Sequence, residues 1–261
     1  MKKILLIFFF IFTIFSSSAT ALQVHFFVPE ANIHDYALLK NIFGNYLANF
    51  GEYDFQPYSS QTVFEKAIKS EKKGLFIMSS WLYNKLNTNN NLVVKLVMES
   101  SKRNTTKEML TTRKDRTLEN LLSGGTLATS RSKLFVRKIL KELFPNKNVS
   151  KVKIISVPRD LDALISVSYG MAIAAITSKD NFFKMKKIDP LSYKKLKSLA
   201  ESNEMLRPIV VVYRNQELTY QPLYQVLLKM DKDNKSETLL DLIDFSRWKI
   251  IKNKDKKYLS I

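Results

Sequence analysis

Strand-like and helix-like segments alternate along most of this chain, and this alternation restricts its fold more than any other feature. Residues 24–28 (VHFFV) form a short apolar strand that Pro29 ends, and residues 36–50 carry apolar side chains at helical spacing. A second strand at 53–57, a second helix and the apolar strand LFIM at 75–78 complete a β-α-β-α-β order. This order favours a parallel sheet with right-handed crossovers.

A second series of the same kind begins after Gly124-Gly125. Its predicted segments are a strand at 126–129, a helix at 133–144, a strand at 152–157, a helix at 160–169 and a buried apolar strand at 171–177. One more buried strand follows at 208–213 (PIVVVY), and helices at 220–230 and 238–243 close the chain. Two α/β series of similar size predict two lobes.

The extended segments near residues 108–114 and 205–211 are the predicted crossings between these lobes. Two crossings form a hinge, and closure about a hinge is how many proteins enclose a ligand. We therefore assign residues 22–112 and 208–261 to the first lobe and residues 113–207 to the second.

The first 21 residues have the layout of a secretory signal peptide. Two lysines precede an apolar run over residues 4–15, and residues 19–21 (ATA) fit a small-x-small cleavage site. A run of about 12 residues is too short for a helix across a hydrocarbon core about 30 Å thick. We expect cleavage after Ala21 and export, with an uncleaved signal anchor as the alternative.

The chain contains no cysteine, which excludes a disulfide framework, a Cys nucleophile, a Cys-ligated metal and a lipid anchor on a cysteine. An exported chain with neither a lipid anchor nor a second apolar span stays near its cell only inside an enclosing compartment. We therefore expect it in a Gram-negative periplasm.

The formal net charge of +18 at pH 7 is large, but the basic residues are spread along the chain. They do not form a basic stripe with interleaved aromatic residues, so we expect no nucleic-acid partner. A solvated basic surface and attraction to an anionic ligand or membrane remain the two explanations of this charge.

Hydroxyl side chains follow several of the predicted strands, where open α/β sheets bind ligands and where helix N-termini attract anions. The candidate ligand-binding residues are Tyr58, Ser59, Ser79, Ser80, Ser130, Arg131, Ser132 and Thr177. Ser130 and Ser132 are the strongest candidates for oxyanion contacts, and Arg131 would add a charge-assisted hydrogen bond. The alternative role of each Ser or Thr is helix capping, and that of Arg131 is exposure to solvent.

The sequence offers little for catalysis. His25 and His34 are its two histidines, and neither has the spacing of a metal-binding motif such as H-E-x-x-H. A G-x-S-x-G nucleophile elbow and a P-loop are also absent from the sequence. We expect a binding protein that has no enzymatic activity and uses no cofactor or metal.

Three stretches carry a family resemblance. Residues 126–143 (TLATSRSKLFVRKILKEL) combine a strand, a Ser/Thr turn and a helix, and residues 157–177 (VPRDLDALISVSYGMAIAAIT) combine a helix, a glycine turn and an apolar strand. Residues 207–218 (RPIVVVYRNQEL) begin a return strand that leads to the closing segment at 239–248 (LLDLIDFSRW). Together they resemble periplasmic phosphate/phosphonate-binding proteins of the PhnD-like type, which are class II substrate-binding proteins of ABC transporters.

This resemblance implies an α/β, two-lobed periplasmic-binding-protein type II fold. It would have two mixed, mostly parallel sheets with flanking helices and a two-segment hinge. Family members often show Ser-x-Ser-Thr or Ser-Thr-Ser at the start of the helix after the lobe-two strand. The matching positions here are Thr129-Ser130-Arg131-Ser132, so two hydroxyls remain and an arginine stands between them. The acidic and histidine residues that recognise the amine of an aminophosphonate have no clear counterpart.

Two functions of this fold are consistent with these features, and a charge-driven binder of a membrane surface or nucleic acid is a third alternative. The first is a periplasmic solute-binding protein that delivers a small anionic or organic ligand, such as phosphate or a phosphonate, to an ABC permease. The second is a sensor or interaction module of the same fold that signals to a membrane receptor such as a histidine kinase. In either role we expect a monomer.

Overall fold

The computed structural model describes residues 21–243 and 245–259. The signal-peptide prediction, apart from Ala21, lies outside the described residues. Among the helices of the described ranges, none combines the length and the apolar character that a membrane span needs.

Six strands form the first sheet, in the spatial order β11-β4-β10-β3-β1-β2. They are β1 (Leu22–Phe27), β2 (Tyr53–Pro57), β3 (Leu75–Met78), β4 (Leu92–Glu99), β10 (Ile209–Tyr213) and β11 (Arg247–Ile250). Its helices are α1 (Tyr36–Ala48), α2 (Gln61–Glu71), α3 (Ser80–Leu86), α9 (Gln221–Lys229) and α10 (Glu237–Leu242). β1 pairs in parallel with β2 and β3, whereas β10 pairs antiparallel with β3 and β4. We call this sheet and its helices the first lobe.

Five strands form the second sheet, in the order β7-β6-β8-β5-β9. They are β5 (Thr105–Arg113), β6 (Thr126–Thr129), β7 (Lys153–Ser156), β8 (Ala174–Ser178) and β9 (Leu196–Leu206). Its helices are α4 (Leu118–Leu122), α5 (Lys133–Leu143), α6 (Asp160–Ser168), α7 (Lys179–Ile188) and α8 (Pro190–Lys195). The parallel pairs are β6–β7 and β6–β8, and β5 pairs antiparallel with β8 and β9. We call this sheet and its helices the second lobe.

The first crossing between the sheets differs from the sequence prediction. β4 ends at Glu99 in the first sheet and β5 begins at Thr105 in the second, so the crossing lies at residues 100–104 and not near 108–114. In the register of β5, Glu108 pairs with Ser178 and Thr112 with Ala174. Residues 105–112 therefore belong to the second lobe and not, as the sequence predicted, to the first. The return crossing lies between Leu206 and Ile209, within the predicted 205–211 segment.

Helix α5 shows how local sequence determines one of these elements. The Ser132 hydroxyl accepts a hydrogen bond from the backbone N–H of Phe135, and this N-cap starts the helix. Side chains at helical spacing, from Phe135 and Val136 to Ile139 and Leu140, are buried on one face. Phe135 also contacts the ring of Trp81, with the two centroids 5.4 Å apart. The helix therefore joins an apolar cluster that spans both lobes.

Candidate functional site

The carboxyl edges of the two sheets face each other. In the first lobe, the parallel strands β1 and β3 end together at Phe27 and Met78. In the second lobe, β6 and β8 are parallel, and antiparallel β5 brings Glu108 opposite Ser178 at the end of β8. The turns after these strands meet between the lobes, at the position where open α/β sheets bind ligands.

Arg131 lies at the centre of this meeting point and is 2% exposed. Its Nε and Nη2 donate to Glu108 Oε1 at 3.1 and 3.0 Å. Its Nη1 donates to Asp160 Oδ1, and its Nη2 donates to Asp160 Oδ2 at 3.2 Å. The solvent-exposed alternative for Arg131 is therefore wrong, because two buried carboxylates of its own lobe bind the guanidinium. Such groups are buried together because either charge alone would be costly to desolvate.

A third carboxylate, that of Glu30, reaches Arg131 from the first lobe. Glu30 Oε1 lies 3.8 Å from Arg131 Nη2 and accepts a hydrogen bond from Trp81 Nε1 at 2.9 Å. Glu30 Oε2 accepts a hydrogen bond from Ser79 Oγ. Two hydrogen-bond donors of the first lobe and a positive charge of the second thus converge on one carboxylate.

Negative charge exceeds positive charge around Arg131. Burial, together with the nearby charges of Asp160 and Glu30, raises the pKa of Glu108 to about 7 despite the opposing effect of Arg131. Burial opposes ionisation of Asp160 too, but Arg131 and hydrogen bonds from Ser130 and Asn181 lower its pKa. Glu108 Oε2 is buried and has no hydrogen-bond partner among the described residues. The surroundings therefore keep Asp160 a carboxylate and make Glu108 easier to protonate than an ordinary glutamate.

Amide side chains connect the lobes beside this ion pair. Asn32 Nδ2 donates to Asn181 Oδ1 at 2.8 Å, and Asn181 Nδ2 donates to the backbone carbonyl of Glu30 at 2.9 Å. The backbone N–H of Leu161 donates to Asn32 Oδ1 at 3.1 Å. Asn32 adopts a left-handed conformation with φ of 56°, which ends the short turn Pro29–Ala31 and directs its amide between the lobes. The lobes are closed on each other at this point.

A cavity of about 50 Å³ lies beside the ion-pair network, lined by both sheets and both crossings. Glu30, Glu108, Asp180 and Arg207 contribute its charged side chains. Ligand pockets of proteins commonly measure about 300–1,000 Å³, so this cavity is small for a ligand site while the lobes are together.

The predicted ligand-binding residues divide into two groups. Ser79, Ser130 and Arg131 meet in the ion-pair network, where Ser130 Oγ donates to Asp160 Oδ1 at 2.6 Å. Ser80 Oγ donates to the carbonyl of Leu206 in the second lobe. These residues come from both lobes, as the turn positions predicted.

The other four lie outside this network. Ser132 caps α5, Ser59 is exposed, and the Tyr58 hydroxyl lies 2.9 Å from His25 Nδ1. Thr177 is buried, and its hydroxyl has no hydrogen-bond partner among the described residues. Capping accounts for Ser132.

Sequence reasoning did not select Glu30, Glu108, Asp160 or Asn181. Glu30 lies in the turn after β1, at a strand end like the selected serines, but the selection was of hydroxyl side chains. Glu108 and Asp160 are 23 and 29 residues from Arg131 in the chain. The register of β5 and the packing of α6 bring them together with Arg131, and no local sequence motif indicates this contact.

Comparisons with known proteins agree with this architecture. A family model described as the periplasmic substrate-binding protein of a phosphonate ABC transporter matches residues 36–256. PhnD1 from Prochlorococcus marinus, in complex with methylphosphonate, has a TM-score of 0.68 at 14% identity, with 91% of this chain and 95% of that chain covered. A binding protein component of an ABC phosphonate transporter from Pseudomonas aeruginosa has a TM-score of 0.68 at 11% identity, with 90% and 83% covered.

A Xanthomonas citri protein bound to ATP has a TM-score of 0.70 at 12% identity, with 92% of this chain and 94% of that chain covered. No curated protein matches the sequence. The structural neighbours confirm the predicted type II fold with two mixed sheets and flanking helices. The sheets are not mostly parallel as predicted, because five of the nine strand pairings among the described residues are antiparallel. The family model covers most of the chain, which therefore belongs to the periplasmic substrate-binding proteins of phosphonate ABC transporters.

Proposed function

We propose that this chain captures a small oxyanion, phosphate or a phosphonate, between its lobes and delivers it to an ABC permease. The supporting observation is the convergence of Ser79, Trp81 and Arg131 on the carboxylate of Glu30. A carboxylate and a phosphonate are both oxyanions that hydroxyl, indole and guanidinium donors bind. Donors that hold one of these groups are therefore suited to the other.

Lobe separation is the entry route in this proposal. Glu30, Ser79 and Trp81 belong to the first lobe, whereas Arg131 and its partners Glu108 and Asp160 belong to the second. Movement about the crossings at 100–104 and 207–208 would expose Ser79 and Trp81 on one lobe and Arg131 on the other, which together we call the donor set. Closure would then place the oxyanion between them, as hinge motion does in other binding proteins.

Family membership favours transport over the signalling role that the sequence left open. The proposed partner is accordingly a permease that recognises the closed, loaded form. Oxyanion binding by the isolated protein is the first requirement of this function.

Calorimetric titration of the purified chain tests that requirement. We expect inorganic phosphate or methylphosphonate to bind, and chloride and free arginine not to bind. Binding of neither oxyanion at millimolar concentration would contradict the proposal.

The substitution Ser79→Ala tests the location of the site. It removes one hydroxyl donor from the ligand but also from Glu30, so we expect a loss of only about threefold to tenfold in affinity. Ser60→Ala is the matched control, because Ser60 is an exposed serine of the same lobe whose side chain makes no capping bond. Equal affinities for the two variants would place the ligand elsewhere.

A further inference from the structure

We infer that Glu30 is a built-in competitor for the oxyanion site, which an incoming ligand must displace and which thereby determines ligand selectivity. This inference rests on the proposed function. It concerns a residue that the protein itself places on the donor set.

Glu30 occupies the position that an oxyanion would take. Its side chain is 16% exposed, its carboxylate accepts hydrogen bonds from Ser79 and Trp81, and it lies near the positive charge of Arg131. Glu30 thus has the two hydrogen bonds and the charge contact that a bound oxyanion would have there. A ligand at these donors and the Glu30 carboxylate cannot both occupy them.

The turn holds the backbone of Glu30 in place. The amides of Asn32 and Asn181 both donate to the backbone carbonyl of Glu30 at 2.9 Å. The backbone N–H of Ala31 also donates to the carbonyl of Val28 at 3.0 Å, within the Pro29–Ala31 turn. Because Asn181 lies in the second lobe, closure itself adds one of the hydrogen bonds that hold this turn.

Of the three carboxylates near Arg131, Glu30 is the one that a ligand can displace. Glu108 and Asp160 hydrogen-bond Arg131 from within its own lobe and are buried. Glu30 reaches Arg131 only across the lobes and at 3.8 Å. When the lobes part, Glu30 leaves Arg131 while the other two carboxylates stay.

Selectivity follows from charge. A ligand that binds these donors must replace the Glu30 carboxylate, which is attached to the chain. An anionic ligand that approaches while Glu30 is still near is repelled by its like charge. A multiply charged oxyanion makes stronger bonds to the donors than a singly charged one, so the competitor favours phosphate-like ligands over chloride or acetate.

The test is the substitution Glu30→Gln, which keeps the shape of the side chain and removes its charge. We expect it to bind methylphosphonate at least about tenfold more tightly than the wild type and to gain measurable affinity for acetate. The matched control is Glu52→Gln, which removes the same charge from an exposed position of the same lobe. We expect the control to bind like the wild type.

The outcomes separate the two claims. Equal methylphosphonate affinity for wild type and Glu30→Gln would overturn the inference and leave the proposed function standing. An equal gain in Glu52→Gln would also overturn it, because the effect would then be one of net charge alone. Binding by neither the wild type nor Glu30→Gln would overturn both claims. Tighter methylphosphonate binding by Glu30→Gln, but not by Glu52→Gln, would support the role of Glu30 as a competitor for the oxyanion site.

Discussion

Arg131 faces more negative charge than it can neutralise, and the carboxyl groups of Asp160 and Glu108 beside it therefore differ in how readily they take up a proton. Asp160 accepts hydrogen bonds from Arg131, from Ser130 and from the backbone N–H of Ser178 at 2.8 Å. Glu108 has one oxygen bound to Arg131 and the other without a partner among the described residues. Two carboxylates on one guanidinium thus differ in their preferred protonation states because their hydrogen-bond environments differ.

The raised pKa of Glu108 predicts a pH dependence of stability. The native state holds this proton up to about pH 7, whereas the unfolded chain loses it near the ordinary value of 4.5. The native state therefore binds more protons in this window, and the contribution of Glu108 to stability falls as pH rises through it. Glu108→Gln should abolish this part of the decline, as measured by urea unfolding between pH 4 and 8.

Glu204→Gln is the control for this experiment, because Glu204 is an exposed glutamate on neighbouring β9. We expect its stability profile to follow the wild type. A decline in Glu108→Gln as steep as that of the wild type would contradict the assignment of the proton.

Loss of Arg131 should be costly. Arg131→Gln leaves the buried carboxylates of Glu108 and Asp160 without their counter-charge, and breaking a buried ion pair in this way costs about 3–5 kcal/mol. Arg116→Gln, at an exposed arginine, should change the free energy of unfolding by less than about 0.5 kcal/mol. Urea unfolding at pH 7 measures both, and similar effects of the two substitutions would contradict the role of Arg131.

The sequence predicts part of the site at this scale. Ser79, Ser130 and Arg131 were selected as candidates because they follow predicted strand ends, and strand ends meet in this fold. Their partners were not found because contacts such as Arg131–Glu108 depend on strand register. A tertiary ion pair leaves no periodic signal in the chain.

Two glycines show how individual elements restrict substitution. Gly44 lies within α1, and a Cβ there would have no heavy atom within 4 Å outside its own helix. Gly125 lies between α4 and β6, and a Cβ there would meet the carbonyl oxygen of Asn120 at 2.5 Å and Leu121 Cα at 2.9 Å. The first glycine is replaceable, whereas the second allows close approach of two backbones.

We expect Gly44→Ala to stabilise the protein by about 0.5–1 kcal/mol, since alanine favours a helix interior over glycine by that amount. Gly125→Ala should destabilise it, because a backbone carbonyl cannot move aside as a side chain can. Thermal unfolding of the two variants is the measurement, and each is the other's control. Equal changes in melting temperature would contradict this packing.

Apolar elements were predicted well and polar ones were not. The buried strands β8 and β10 and the amphipathic helix α5 were each expected near their observed bounds. β9 was missed because its sequence, LKSLAESNEML, is polar and it lies at a sheet edge with only four of its eleven residues buried. Missing β9 also hid the pairing partner of β5, which is why the first crossing was placed too late.

The protein belongs to a family of non-enzymatic substrate-binding proteins, and its two lobes are closed on each other. Membership of the family implies a periplasmic location, as the sequence predicted. Closure depends on polar contacts between the lobes as well as on the apolar contact of Trp81 with Phe135. Water can replace the polar contacts when the lobes separate, which suits a protein that must open to bind its ligand.

Asn181→Ala tests the closure. It removes the bonds to Asn32 and to the Glu30 carbonyl, so we expect the ligand-free lobes to separate more often. The chain has no cysteine, so spin labels at Lys66→Cys and Lys138→Cys, on exposed positions of α2 and α5, report one interlobe distance. A distance distribution broader than that of the wild type is expected.

Asn146→Ala, at an exposed asparagine of the second lobe, is the control for the labelled pair. It should retain the wild-type distribution. Superimposable distributions for the wild type and Asn181→Ala would show that these amide bonds do not hold the lobes together.

A crystal structure of the chain grown with methylphosphonate would locate the ligand and Glu30 together. We expect the phosphonate oxygens within hydrogen-bond distance of Ser79 and Trp81 and facing the charge of Arg131, with the Glu30 carboxylate moved off these groups. A phosphonate bound away from the interlobe site, or Glu30 still in contact with Ser79 and Trp81 in the loaded protein, would contradict this expectation.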